Sequence, residues 1–184
     1  MTSDASVGGN GRLRLFCALR LPGGVLDSVV RWQQDLALPG RVVPRENLHL
    51  TLAFLGSTPS YTVPHIVDEL RAACAAAGPI SLQVSGYREG PRVGMLTLED
   101  EGGEATRLAG DLHERLHGLG IYEPDKRPWL PHLTTFRFRE KPRLRPPLPA
   151  LGRVCPSDAA LYNSLLRSTG AQYVVMATLA LGGS

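Results

Sequence analysis

The tripeptide His-Leu-Thr occurs twice, as His49 to Thr51 within NLHLTLAFLG and as His132 to Thr134 within PHLTTFRF, some eighty residues later. Both runs alternate and are rich in Leu, Phe and Thr, the pattern of a half-buried β-strand. On a strand, side chains at i and i+2 leave the same face. Each copy therefore presents one imidazole and one hydroxyl together and turns its leucines toward a core. One copy in each half of the chain is the mark of an internal duplication. The fold must then offer two related halves and a place where the two strands can meet across a pseudo-symmetric cleft.

Two such strands side by side put two imidazoles and two hydroxyls around one small volume. One imidazole can remove a proton while the other supplies one, and the hydroxyls can donate to phosphate oxygens. This is the equipment of general acid–base phosphoester chemistry without a metal. A single His in a strand is more often a satisfied structural residue than a site. The repetition in matching contexts is what points to chemistry.

At 184 residues the chain fits one compact domain or two small lobes that share an interface. The first eleven residues are small, polar and Gly-rich and read as a disordered tail, followed by one domain over 12–184. They lack the pattern of a secretory signal, and no later apolar run is long enough to span a bilayer. A cytoplasmic protein without membrane association is expected. Cys17, Cys74 and Cys155 are scattered, without metal-ligand spacing, and read as free thiols. The net charge is only +3, yet Arg137, Arg139, Lys141, Arg143 and Arg145 crowd into nine residues against Glu140 alone. Such a run is either a solvated loop or a basic lip that attracts a polyanion.

Periodicity and turn residues give the order of elements. RLRLFCALRL (12–21) reads as a strand and 25–37 as a helix with Val25, Val29, Trp32 and Leu36 on one stripe. The first motif strand is expected at 47–55, a turn at 57–60, and a helix from Pro64 to Ala77. A hairpin is expected from 80–87 and 92–99, a helix at 104–118, and the second motif strand at 131–138. The Pro-rich stretch 140–153 reads as a loop, and strands near 155–163 and 171–181 close the chain. Helices alternate with hairpin-linked strands, so an α+β fold with mainly antiparallel sheets is preferred.

A second pattern competes for attention. His113-Glu114-Arg115-Leu116-His117 reads H-E-x-x-H, with Gly120 and Glu123 beyond it, as in zinc proteases. However, Leu108, Leu112, Leu116 and Leu119 form the buried stripe of that helix and leave the histidines on its flank. The glycines are explained as a helix stop. No metal and no cofactor are expected.

At the paired motifs the chain resembles the two-histidine (2H) phosphoesterases, and among them the bacterial and archaeal RNA 2′,3′-cyclic phosphodiesterases, historically called 2′-5′ RNA ligases. RLFCALRLP is similar to that family's opening strand, ENLHLTLAFLG to its first motif, RPWLPHLTTFR to its second, and LYNSLLRSTGAQYVVMATLAL to its closing hairpin. The family often has Lys where this chain has Ala53, and an aliphatic residue where it has Thr135. The resemblance implies a bilobal α+β fold with His49, Thr51, His132 and Thr134 at the floor of the cleft between lobes. It implies hydrolysis of RNA ends carrying a 2′,3′-cyclic phosphate to a 2′-phosphate, with His132 as base and His49 as acid. The sequence itself leaves those two roles open. Thr51, Thr134 and Arg137 would bind the phosphate. Strict alternation sends Arg137 to the face opposite His132, so that role requires a twist or bulge in the strand end. A monomer without an obligate protein partner is expected. Rival readings are a 2′-5′ oligonucleotide phosphodiesterase or ligase, and a non-catalytic module binding single-stranded RNA.

Overall fold

The computed structural model describes residues 11–182 apart from positions 37 and 169; all of the expected tail except Gly11 lies outside the described residues. The architecture is α+β. Strands β1 (Arg12–Leu19), β3 (Leu50–Pro59), β7 (Asp158–Arg167) and β8 (Gly170–Ala180) form one antiparallel half. Strands β4 (Leu82–Glu89), β5 (Val93–Asp100), β6 (His132–Arg137) and the two-residue β2 (Arg41–Val42) form the other. The two halves join edge to edge into a single path, β4-β5-β6-β3-β1-β7-β8, through one registered pair, Leu50 with Leu133. These are the two leucines at the centres of the repeated motifs.

Helices α1 (Gly23–Leu36), α2 (Val63–Ala76) and α3 (Glu104–Gly118) cover one face. Val29, Ile66, Leu70, Leu108, Leu112 and Leu116 are each nearly or fully buried there, in one core with Leu15, Cys17 and Leu19 of β1. The intervening Phe16 and Ala18 point the other way, into a smaller cluster with Ala160 and Tyr162. That opposite face is the floor of the cleft.

The motif strand starts later than the 47–55 expected and runs further. Pro44 opens a turn of 3-10 helix at Arg45–Asn47, closed by the Asn47 N–H on the Pro44 carbonyl, so pairing begins only at Leu50. The turn expected at 57–60 is not there. Ser57 to Pro59 continue β3, because β1 supplies partners out to Arg12, whose guanidinium donates to the Ser57 hydroxyl at 2.8 Å. A long-range strand partner outweighs local turn chemistry here.

Candidate active site

Beyond Leu50 and Leu133 the two motif strands part, which leaves backbone carbonyls of β3 without a strand partner. Side chains take over that work: Trp129 Nε1–H donates to the Thr51 carbonyl at 3.0 Å, and His113 Nε2 to that of Leu52 at 2.7 Å. His113 is therefore a structural donor on the helix-covered side of the sheet. Its neighbour His117 bonds the Tyr122 carbonyl instead, and the described residues contain no cluster of three or more groups that could hold a metal.

The divergence opens a cavity of about 680 Å³ whose lining includes His49, Thr51, His132, Thr134 and Arg137. The five residues singled out in the sequence are thus gathered at one place. Because Leu50 faces Leu133 in antiparallel register, each motif histidine stands across from the threonine of the other strand.

Both imidazoles are fixed in the same way. His49 Nδ1–H donates to the carbonyl two residues before it, Asn47, at 2.8 Å, and His132 Nδ1–H to the carbonyl of Leu130 at 2.9 Å. Each ring's Nδ1 is thereby committed as a donor, and Nε2 is the nitrogen left to exchange protons. His49 Nε2 lies 3.1 Å from the Thr51 hydroxyl, which donates to it when the ring is neutral. Asn47 is itself tied down by its side-chain amide, which donates to the Ala171 carbonyl of β8 at 2.9 Å. The sequence offered only one hint of this, the Asn two places before the first His.

The two histidines differ in surroundings. His49 rests against an aromatic group drawn from three strands, with ring centroids 4.8 Å from Phe16, 5.4 Å from Tyr173 and 6.1 Å from Tyr162. Burial there pushes its pKa from 6.5 down to about 4, and the charges of His132 and Arg137 add to the lowering; the bond to the Asn47 carbonyl opposes it. In the unliganded protein His49 is therefore neutral at pH 7.

Each motif runs into a bulge. On β3, Thr51 faces Ala18 and Ala53 faces Cys17, so Leu52 is the extra residue. On β6, Thr134 faces Met95 and Phe136 faces Gly94, so Thr135 is the extra residue. The one-residue slip reverses the parity of the positions beyond it. It turns Arg137 onto the cavity face with His132 and Thr134, and Phe54 onto the cavity face with His49 and Thr51. Thr135, an unusual polar residue at this core position, is fully buried and donates its hydroxyl to the Gly94 carbonyl at 3.2 Å. Its own carbonyl accepts from Val43 N–H at 2.9 Å and from the Gln33 amide at 2.7 Å. Gln33, only 4% exposed, also donates to the Val43 carbonyl at 3.1 Å and so locks β2 against the bulge. None of this was visible in the periodicity of α1, where Gln33 reads as an ordinary polar position.

Paired, tautomer-fixed imidazoles, with hydroxyls and an arginine beside them, thus line one cavity where the two halves of the α+β sheet meet. The LigT like Phosphoesterase family model matches residues 19–88. A Thermus thermophilus protein named RNA 2′,3′-cyclic phosphodiesterase is 34% identical, over 93% of this chain and 91% of its own length. A Geobacillus stearothermophilus protein of the same name is 31% identical over 68% of this chain, a match that spans 42% of that relative. The crystal structure of Escherichia coli LigT in apo form superimposes with a TM-score of 0.79 at 25% identity, covering 93% of this chain and 98% of that one. The chain belongs to the LigT-like phosphoesterase family of the 2H superfamily.

Proposed function

We propose that the protein hydrolyses RNA ends carrying a 2′,3′-cyclic phosphate to 2′-phosphate ends, without a metal ion. The observation that carries this reading is the pair of Nδ1-anchored imidazoles, His49 and His132, whose Nε2 atoms are left to serve one cavity. The substrate class is supported by relatives from Geobacillus stearothermophilus, Escherichia coli and Thermus thermophilus that share the name RNA 2′,3′-cyclic phosphodiesterase. In the reaction one neutral imidazole takes a proton from water as its oxygen attacks phosphorus. The bond from phosphorus to the ribose 3′ oxygen breaks, and the other imidazole, protonated, gives its proton to that oxygen. Thr51, Thr134 and Arg137 hold the non-bridging oxygens and take up the charge that grows on them.

The resemblance assigns the base to His132 and the acid to His49. For His49 to be the acid, its proton must arrive with the substrate, whose negative charge raises the pKa that burial has depressed. The opposite assignment is favoured by one observation, the neutrality of His49 in the unliganded site at pH 7. A phosphodiester with a p-nitrophenolate leaving group separates the two, because that group departs without a proton. The alanine variant rescued by the activated ester lost the acid, and the one that stays impaired lost the base. The reading as a whole is tested by product analysis on an oligonucleotide ending in a 2′,3′-cyclic phosphate. Release of a 3′-phosphate end, or no turnover, would refute it.

A cytoplasmic monomer is the proposed setting. It accords with Cys17 and Cys74 as free thiols buried in the core. No helix among the described residues is long and apolar enough to cross a membrane.

A further inference from the structure

The catalytic cavity is lined by both apolar and cationic side chains: Phe16, Phe54, Leu166 and Tyr173 among the first, Arg14, Arg41 and Arg137 among the second. A second cavity, of about 640 Å³, begins where Arg41 and Arg137 end, since both line it as well. Its remaining lining includes Gly40, Phe138, Arg139 and Glu140, so three arginines line it with one glutamate.

The second cavity is built rather than incidental. Gly40 has φ 112°, and a Cβ there would come within 2.6 Å of both the Arg137 carbonyl and the Phe138 ring. Only glycine lets β2 and the end of β6 approach so closely. Phe138, nearly buried, gives the cavity a fixed apolar floor. The basic stretch beyond it is anchored and does not wave in solvent. The Glu89 carboxylate accepts from the backbone N–H groups of Arg143 and Leu144 at 2.8 and 2.7 Å, and Arg143 takes a left-handed φ of 59° to present them. Trp32 Nε1–H then holds the Pro147 carbonyl at 2.8 Å. The backbone that carries Arg139 is thus held on one side by the Gln33 lock on β6 and on the other by the Glu89 clamp. Fixing the binding groups in advance removes much of the ordering cost of binding.

From this we infer that the second cavity is a subsite for the phosphodiester backbone of the RNA strand whose terminal nucleotide occupies the catalytic cavity. The inference rests on the proposed RNA-end reaction. The aromatic and aliphatic lining suits the ribose and base of that nucleotide, and Arg41 and Arg137, shared by both cavities, mark the way its chain leads outward. Guanidinium groups match the paired oxygens of a phosphodiester, and such contacts are indifferent to base sequence. The protein then favours strand ends over free cyclic nucleotides, and Arg139 is the residue that makes the distinction.

The test compares a mononucleoside 2′,3′-cyclic phosphate with a trinucleotide ending in the same group, in wild type and in Arg139→Ala and Arg139→Lys. Binding of the corresponding trinucleotide 2′-phosphate is measured alongside by fluorescence anisotropy. Arg139 is exposed, so its replacement does not threaten folding. In wild type, log(kcat/KM) for the trinucleotide should fall with log salt more steeply than for the mononucleotide, by about 0.7 for one neutralised single-strand phosphate. Arg139→Ala should abolish that extra slope and lower the trinucleotide value roughly three- to tenfold, the size of one charged contact at a solvated site. Arg139→Lys should recover part of both. Equal salt slopes for the two substrates, or an equal loss on both in Arg139→Ala, overturns the subsite while leaving the hydrolytic reading intact. Trinucleotide binding that depends on Arg139 in a protein that turns over neither substrate would uphold the subsite and refute the hydrolytic reading.

Discussion

Protonation of His49 should cost this protein stability, by an amount set by its aromatic seat. The folded ring titrates at about 4 against 6.5 for an ordinary histidine, mainly because Phe16, Tyr162 and Tyr173 strip it of water. A group whose folded pKa lies below its unfolded one binds protons better when the chain is unfolded. Its contribution is therefore intact above pH 6.5 and is lost as the pH falls toward 4. The full difference is about 3 kcal/mol, of which about 2 kcal/mol has gone by pH 5. Denaturant unfolding at pH 7.5 and at pH 5, in wild type and in His49→Asn, isolates this part from carboxylate effects common to both. The variant should lose about 2 kcal/mol less over the interval. The ring C–H resonances give the same quantity directly, with His49 still neutral at pH 5. Adding inorganic phosphate should move its titration upward, since an anion in the cavity favours the imidazolium; by reciprocity, phosphate should bind more tightly as the pH falls. A titration near 6.5 in the free protein, or identical acid sensitivity in wild type and His49→Asn, would sink the account.

Replacing His49 or His132 with Ala should each lower the rate roughly 10²- to 10⁴-fold, and the double variant should fall far short of the product, measured as kcat on a cyclic phosphate end. Turnover should survive prolonged chelation. His113→Ala should leave kcat largely unchanged while lowering unfolding stability by about 1–3 kcal/mol, because the buried Leu52 carbonyl loses its donor. Gln33→Leu should raise KM more than it lowers kcat, since it frees the bulge that aims Arg137; an unchanged KM would show that the bulge stands without it. kcat/KM should be bell-shaped in pH, with two apparent constants belonging to the histidine pair; a rate still rising at pH 9 would point to hydroxide as nucleophile.

The sequence carried the elements well wherever a side chain's fate was decided by its immediate neighbours. Helix α2 starts beside Pro64 and α3 ends at Gly118, as their local residues dictate. The hairpin β4-β5 forms about Gly90 and Pro91 as read. The features that escaped are set by distant partners. β3 runs through its apparent turn because Arg12 reaches Ser57, forty-five residues away. The Pro-rich stretch 140–153 has no regular structure, as expected, yet Glu89 and Trp32 bind it at points that composition cannot reveal. H-E-x-x-H had correct spacing and the wrong surroundings, because its first His is occupied by a carbonyl that the parting of β3 and β6 leaves open.

Parity is where simple reading of the motifs fails, and the failure explains how a duplicated site becomes an asymmetric one. The copies agree as far as His-Leu-Thr, and each then inserts a bulge, at Leu52 and at Thr135. Each bulge delivers the fifth residue after its histidine to the cavity. In the first copy that residue is Phe54, half exposed with the Arg14 guanidinium lying 4.8 Å over its ring; in the second it is Arg137. The same backbone device thus adds an aromatic ring to the cavity lining in one copy and a guanidinium in the other. The histidines divide in the same sense: His49 is dried by the aromatic side and kept neutral, whereas His132 stands half-buried at the first position of β6, beside Pro131. The reaction proposed above needs one imidazole charged while the other is neutral, so it calls for unlike surroundings at the two histidines. The paired motifs bring the two rings to one cavity, and the aromatic seat beside His49 alone makes their surroundings unequal.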